Sequence, residues 1–290
     1  MKKAIINLNI AVILWGFTGV LGRLIHLNEG WLVWYRMLFS AITVWLLNLK
    51  LKEIERASLK DMVTLCGIGG LQAFHWVLFF GSVHYANVSV ALVCLSSAAL
   101  FTSVMEPLLT GRAVRLIEIL LGLTGMAGIY LIFHFDARFE KGIILGVLAA
   151  LFISVTPVLN KGFLVKYHPA TITAWNMTGG AILLLPVLPA YLYFFPEGNS
   201  IPSLADIGWL IILACLCTVL TWRIALDALK KLSAFTLNFM LNLEPVYGIV
   251  LAFILFSEHK ELSAYFYLGF LLIMLSVAFH IWRIVRKKTV

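Results

Sequence analysis

The sequence predicts an all-α integral membrane protein of ten transmembrane helices, and three observations carry that prediction. Of its 290 residues, 62% are hydrophobic and only 12% charged, about half the charged share of a soluble domain. The apolar residues fall into ten runs, each close to the roughly 20 residues that a spanning helix needs. The basic residues gather in the short gaps between those runs. The net charge of +8 is therefore a topology signal, because a nucleic-acid footprint would line one face of a folded domain.

In chain order the runs are 4–25, 31–49, 61–83, 88–109, 117–134, 142–163, 169–193, 207–227, 233–256 and 262–283. Met1, Lys2 and Lys3 followed by an apolar run resemble a signal peptide. The run continues past Trp15 to Ile25 without a small-residue cleavage pattern, so a retained first span is expected. The longest gap, from Phe194 to Asp206, holds Pro196, Gly198 and Pro202 and leaves no room for a soluble domain. With the N-terminus inside, the cytoplasmic side collects Lys2, Lys3, Lys50, Lys52, Arg56, Lys60, Arg112 and Arg115. It also collects Lys161, Lys166, Lys230, Lys231, Arg283, Arg286, Lys287 and Lys288, against Arg138, Lys141 and Lys260 outside. The expected topology is N-in/C-in. Cys66, Cys94, Cys215 and Cys217 all lie in apolar runs. Cys215 and Cys217 point about 200° apart on a helix, which suits packing thiols better than a disulfide or metal pair.

The chain repeats itself. Thr18-x-Val20-Leu21-x-Arg23 in the first run returns as Thr156-x-Val158-Leu159-x-Lys161 in the sixth. Met37, Ala41 and Ile42 in the second return as Met177, Ala181 and Ile182 in the seventh, and Leu121-Gly122 returns as Leu268-Gly269. Five spans per unit is an odd number, so the second copy enters the membrane from the opposite side. Two inverted five-helix repeats, 1–139 and 140–290, are thus expected, an architecture that recurs in secondary transporters with the site between the halves near midplane.

Ten spans in two such repeats, Trp15-Gly16 in the first run, and Pro245 followed by Glu258 in the ninth resemble the drug/metabolite transporter superfamily, EamA type. The resemblance covers essentially the whole chain, and its motifs are short. The first repeat departs from the pattern: Ala98 stands where the second has Pro245, and Gly111-Arg112 where it has Glu258-His259. Glu106-Pro107 lies displaced toward the cytoplasm. The resemblance implies inner-membrane export of small amphiphilic metabolites, with amino acids or related compounds as the leading class.

Several polar constellations inside the runs are candidate site walls, because unpaired polar groups are costly in hydrocarbon. Gln72, His75, Trp76 and Phe79 fall at i, i+3, i+4 and i+7, one helical face. Such a stripe suits an amphiphilic solute, and a satisfied packing stripe is its bland alternative. Arg36 shares a face with Ser40 and Thr43, and Trp175 and Asn176 occupy the related region of the seventh run. In the eighth run Trp222 follows Thr218 and Thr221, and Arg223 either attracts an anionic group or snorkels, paired with Asp227. Arg23 is expected to snorkel, and Glu106 to pair with Arg112 or Arg115.

The ninth run places Asn238, Asn242 and Pro245 on one stripe, with Glu244 off it beside Tyr247. Glu244 is the candidate proton-coupling residue, contacts a substrate amine, or is a structural carboxylate. There is no Walker A loop, HExxH motif or Gly-x-Ser-x-Gly turn, and the seven histidines are scattered. No cofactor, metal, catalytic residue or nucleic-acid partner is expected. The expected partners are a small-molecule substrate, the lipid bilayer and protons as a candidate coupling ion, for a monomer or homodimer. The alternatives are a carrier of phosphorylated, nucleotide-linked or lipid-linked solutes, and a membrane-embedded enzyme or scaffold.

Overall fold

The computed structural model describes residues 2–135, 139–241, 243–260 and 262–286. Its helices are α1 (Lys2–Leu24), α2 (Glu29–Leu51), α3 (Leu59–Tyr85), α4 (Val88–Leu95), α5 (Ala98–Thr110), α6 (Leu116–Phe135) and α7 (Glu140–Phe163). They continue with α8 (Pro169–Leu184), α9 (Leu188–Phe194), α10 (Leu204–Ala214), α11 (Thr221–Leu229), α12 (Ala234–Leu241), α13 (Glu244–Phe256) and α14 (Ala264–Arg286). No strand forms among the described residues.

Helix starts follow local chemistry. Asn28 accepts from the Gly30 amide at 3.0 Å, Ser58 from Asp61 at 3.2 Å, and Asn87 from Val90 at 2.8 Å. Ser203 and Asp206 cap each other reciprocally at the start of α10.

Among the described residues, seven helical stretches are long and apolar enough to cross a membrane: Ala4–Leu24, Glu29–Leu51, Leu59–Tyr85, Val88–Thr110, Glu140–Phe163, Pro169–Phe194 and Leu204–Leu229. Leu116–Gly128, Glu244–Phe256 and Ala264–Ser276 are apolar but shorter. The ninth apolar run is divided into α12 and α13. Pro245 has no amide proton and crowds the carbonyl four residues back, which is Leu241, the last residue of α12. As the second residue of α13 the same proline costs nothing.

The fourth run is divided in the same way without a proline. Ser97 donates its hydroxyl to the Cys94 carbonyl at 2.8 Å and its amide to the same carbonyl at 3.1 Å, which tightens the backbone out of the α-helical ladder. The two broken runs match in length, 8 residues then 13 in each.

The eighth run bulges. Cys215–Leu220 forms a π-turn in which Thr218 Oγ1 reaches back to the Leu213 carbonyl at 2.8 Å. Such turns insert a residue and frequently mark functional positions.

Large apolar side chains cover the outside. Ile6, Ile10, Ile13 and Phe17 are exposed along one face of α1, and Leu46, Leu49, Ile254, Leu255, Leu271 and Leu275 extend the belt. An apolar surface of this extent needs a non-aqueous covering.

Inside, α3 packs against α7 and α8, and α1 against α11 and α13. Backbones approach closely where glycine permits. A Cβ on Gly69 would lie 1.9 Å from the Asn176 carbonyl oxygen, so α3 and α8 touch through backbone.

Candidate functional site

The helices converge on a cavity of about 80 Å³, lined from α1, α2, α3 and α4 on one side and α7, α11, α12 and α13 on the other. Trp15, Trp76, Phe79 and Trp222 give it aromatic walls, while Arg36 and Glu244 give it one fixed cation and one carboxylate. Both charges are buried.

Arg36 is held by the bulge in the eighth run. Its Nε donates to Thr218 Oγ1 at 2.8 Å and its Nη2 to the Cys217 carbonyl at 3.4 Å. Its guanidinium carbon lies 3.6 Å from the centroid of the Trp76 ring, a stacked cation–π contact. Nη1 has no partner. A regular helix would spend the Cys217 carbonyl on its own ladder, so the π-turn and the arginine explain each other. Thr18 Oγ1, also on the cavity wall, is a second buried polar atom without a partner.

The third-run stripe reaches the cavity whole: Gln72, His75, Trp76 and Phe79 all line it. His75 Nδ1 lies 2.8 Å from the Ala149 carbonyl. Since a carbonyl only accepts, Nδ1 carries the proton and Nε2 is the remaining ring nitrogen. Gln72 accepts from Thr156 at 3.1 Å, tying α3 to α7.

Other expected site residues sit elsewhere. Asn176 stands one step behind the wall, donating at 2.9 Å to Asn160, which lines the cavity. Trp175 packs edge-on against Trp45 at 5.6 Å, away from the cavity. Tyr247 donates to Asn9 at 3.1 Å, off the lining. Arg223 is neither a cavity cation nor paired with Asp227. It makes a bidentate bridge to Glu53 at 2.7 and 2.8 Å, and Asp227 pairs with Lys230 at 3.0 Å. The Asn238 side chain and Asn242 lie outside the described residues.

Several lining residues were not singled out as site residues from sequence, Asn160, Leu95 and Pro157 among them. Asn160 could have been found, because it falls four residues after Thr156 on one helical face. Leu95 and Pro157 carry no comparable signal.

The comparisons bear on what such a cavity serves. The model of the EamA-like transporter family matches residues 2–134 and again 140–282. An uncharacterized transporter, YxxF, of Bacillus subtilis (strain 168) is 24% identical over 261 residues, 86% of this chain and 81% of the relative. A probable terminal-alkyne amino-acid exporter of Streptantibioticus cattleyicolor is 23% identical over 209 residues, 71% of this chain and 69% of the relative. One solved crystal structure superposes with a TM-score of 0.70 at 16% identity, covering 99% of each chain, a likeness of fold. Matched by the family model over both halves and built of apolar helices around a buried polar cavity, this chain belongs to the EamA-like transporter family and is a multi-pass membrane transporter.

Proposed function

We propose that the chain is a secondary transporter of small zwitterionic amphiphiles, amino acids or close relatives, exported across the inner membrane by alternating access. The observation that carries the reading is one cavity holding Arg36 and Glu244 among aromatic walls. Arg36 Nη1 is a buried donor aimed at no protein acceptor, which suits a carboxylate. Glu244 suits an ammonium, and Trp15, Trp76 and Trp222 suit an apolar body. The relative described as a probable amino-acid exporter agrees with this class.

Arg36 and Glu244 are both buried, so in this reading loading requires an end of the bundle to widen. In this reading the two halves, 1–139 and 140–290, are inverted five-helix repeats whose divided fourth and ninth runs meet at midplane. Both termini are cytoplasmic, and Glu244 exchanges the proton that drives export. A phosphorylated or nucleotide-linked solute fits less well, because the lining offers one arginine and an opposing carboxylate, while Arg223 is engaged with Glu53.

Counterflow in proteoliposomes tests the substrate class. An aromatic or branched amino acid should exchange. Its N-acetyl and its decarboxylated derivatives should each lose at least tenfold, since each lacks one partner charge. Equal exchange of all three would remove the zwitterion reading. Impermeant labelling tests the orientation, with cysteine at exposed Asn199 reacting from outside and at exposed Val165 only from inside. Asn28 and Asn87 are poor probe sites because both are buried helix caps.

A further inference from the structure

The two divided runs cap each other across the molecule. Glu258, just past the end of α13, is fully buried and accepts from the first two amides of α4: Val88 at 3.2 Å and Ser89 at 3.0 Å, with the Ser89 hydroxyl at 2.6 Å. Glu106, near the end of α5, is buried and accepts from the second amide of α12, Phe235, at 3.0 Å. Each carboxylate thus sits at the N-terminus of the other unit's divided run, where the helix dipole favours it.

A cation belongs to each arrangement, and here the two ends differ. Arg23, at the end of α1, bridges to Glu258 and lies 4.5 Å over the Phe256 ring. Lys161, its counterpart in the repeated Thr-x-Val-Leu-x-Arg/Lys pattern, sits near the end of α7. It does not bridge to Glu106. Its ammonium donates to the Leu232 carbonyl at 2.7 Å, and Glu106 instead has Arg112 at 3.5 Å.

The cavity shows the same asymmetry. Toward the Glu258 end its lining stops at Thr18 and Phe79, each six residues short of its helix end, roughly 9 Å at 1.5 Å per residue. Toward the Glu106 end it runs to Leu229, the last residue of α11, and to Asn160 beside Lys161.

We propose that Arg23–Glu258 and Lys161–Glu106 are alternate latches of the transport cycle, each made only when the cavity is shut at its own end. The structure holds the first latch closed and the second open. The proposal rests on the alternating-access reading above and assigns its gating residues. Reach is sufficient. Thr102 Oγ1 donates to the Ser154 carbonyl at 3.4 Å, and α5 and α7 run the same way. Glu106 is therefore level with Val158, and Lys161 lies three residues, about 4.5 Å, further on, within the span of a lysine side chain. Closing transfers the ammonium from a neutral carbonyl to a carboxylate, which gains a charge-assisted hydrogen bond. The bland alternative is that Lys161–Leu232 is a fixed strut and Arg112 permanently neutralises Glu106.

Rates of thiol modification in the full chain separate the two. With the four native cysteines replaced by alanine, one reporter is Leu229→Cys at the Glu106 end and the other Val83→Cys at the Glu258 end, each treated with a small water-soluble thiosulfonate. Lys161→Met and Glu106→Gln should each raise the Leu229→Cys rate and lower the Val83→Cys rate by about fivefold, a modest coupling. Combining them should add little. Arg23→Met should do the reverse, and Lys161→Arg and Arg23→Lys should stay within about twofold of the parent. If Lys161→Met leaves both rates unchanged, or shifts them in the same sense as Arg23→Met, the latch is refuted while alternating access stands. If every variant raises both rates together, the residues are struts and the latch is equally refuted. Rates that never trade off, even with transported solute, would remove alternating access itself.

Discussion

Arg36→Lys is the substitution that best separates a binding arginine from a structural one. Lysine keeps the charge opposite Glu244 but cannot reproduce the planar fork. It loses the Nε bond to Thr218 at 2.8 Å, worth about 1.5–3 kcal/mol as a charged hydrogen bond. It also loses most of the 3.6 Å stack on Trp76, worth about 1–2 kcal/mol in a desolvated setting. Part of that loss falls on folding, because the bulged turn around Cys217 and Thr218 gives up a partner. The unpartnered Nη1 makes no hydrogen bond within the protein, so its loss bears on folding least. If it binds a carboxylate bidentately with its neighbour, replacing the fork by a point charge should weaken binding by roughly 10- to 100-fold, or about 1.4–2.7 kcal/mol. The assay is half-saturation of counterflow, with thermal unfolding of the same reconstituted sample beside it. Lowered stability with unchanged half-saturation would make Arg36 a strut between α2 and the bulged turn Cys215–Leu220 and refute the site assignment. Trp76→Phe, which keeps a weaker ring face, should fall between parent and Arg36→Lys.

Glu244→Gln should keep solute exchange but lose accumulation driven by a pH gradient; a stable variant still fully driven would end the coupling role. Glu258→Gln leaves buried donors facing an amide and should destabilise the protein by about 3 kcal/mol, the low end for breaking a buried pair, read as a fall in thermal midpoint. Lys166→Met should leave the midpoint unchanged at neutral pH, because its bridge to Asp61 is exposed. The Asp61 hydrogen bond raises the Lys166 pKa above its usual lysine value. What little stability the bridge gives is complete below the unfolded-state value and is lost as pH rises through the raised one, so any small deficit of the variant should vanish in strong alkali, where the parent loses the bridge too. Gly69→Ala should prevent close packing of α3 on α8 and reduce the yield of folded protein sharply, since its Cβ would sit 1.9 Å from backbone oxygen.

How much of this was legible in sequence depended on whether the chemistry was local. Gln72, His75, Trp76 and Phe79 were legible because helical periodicity places them on one face whatever packs against it. The break at Pro245 was legible because a missing amide proton acts on the proline's own turn. The matching break at Ser96–Ser97 was not, because a serine hydroxyl bends a helix or merely decorates it according to context. The π-turn was equally silent. Trp222 lines the cavity, as expected, while Arg223, for which an anionic solute and Asp227 were the alternatives, is held by Glu53, a partner far away in sequence.

The two halves also diverge in a way that has physical sense. Where the first half has Arg36 the second has Asn176, and where the second has Glu244 at its break the first has Ser97 and Ala98. Strict repetition would put two arginines and two glutamates around one small cavity, and like charges there repel. Keeping one of each leaves a dipolar site, which the proposed zwitterionic solute would complement. The capping glutamates perform the same service from positions the repeat does not equate: Glu106 caps α12 and Glu258 caps α4, while Gly111 stands at the position related to Glu258.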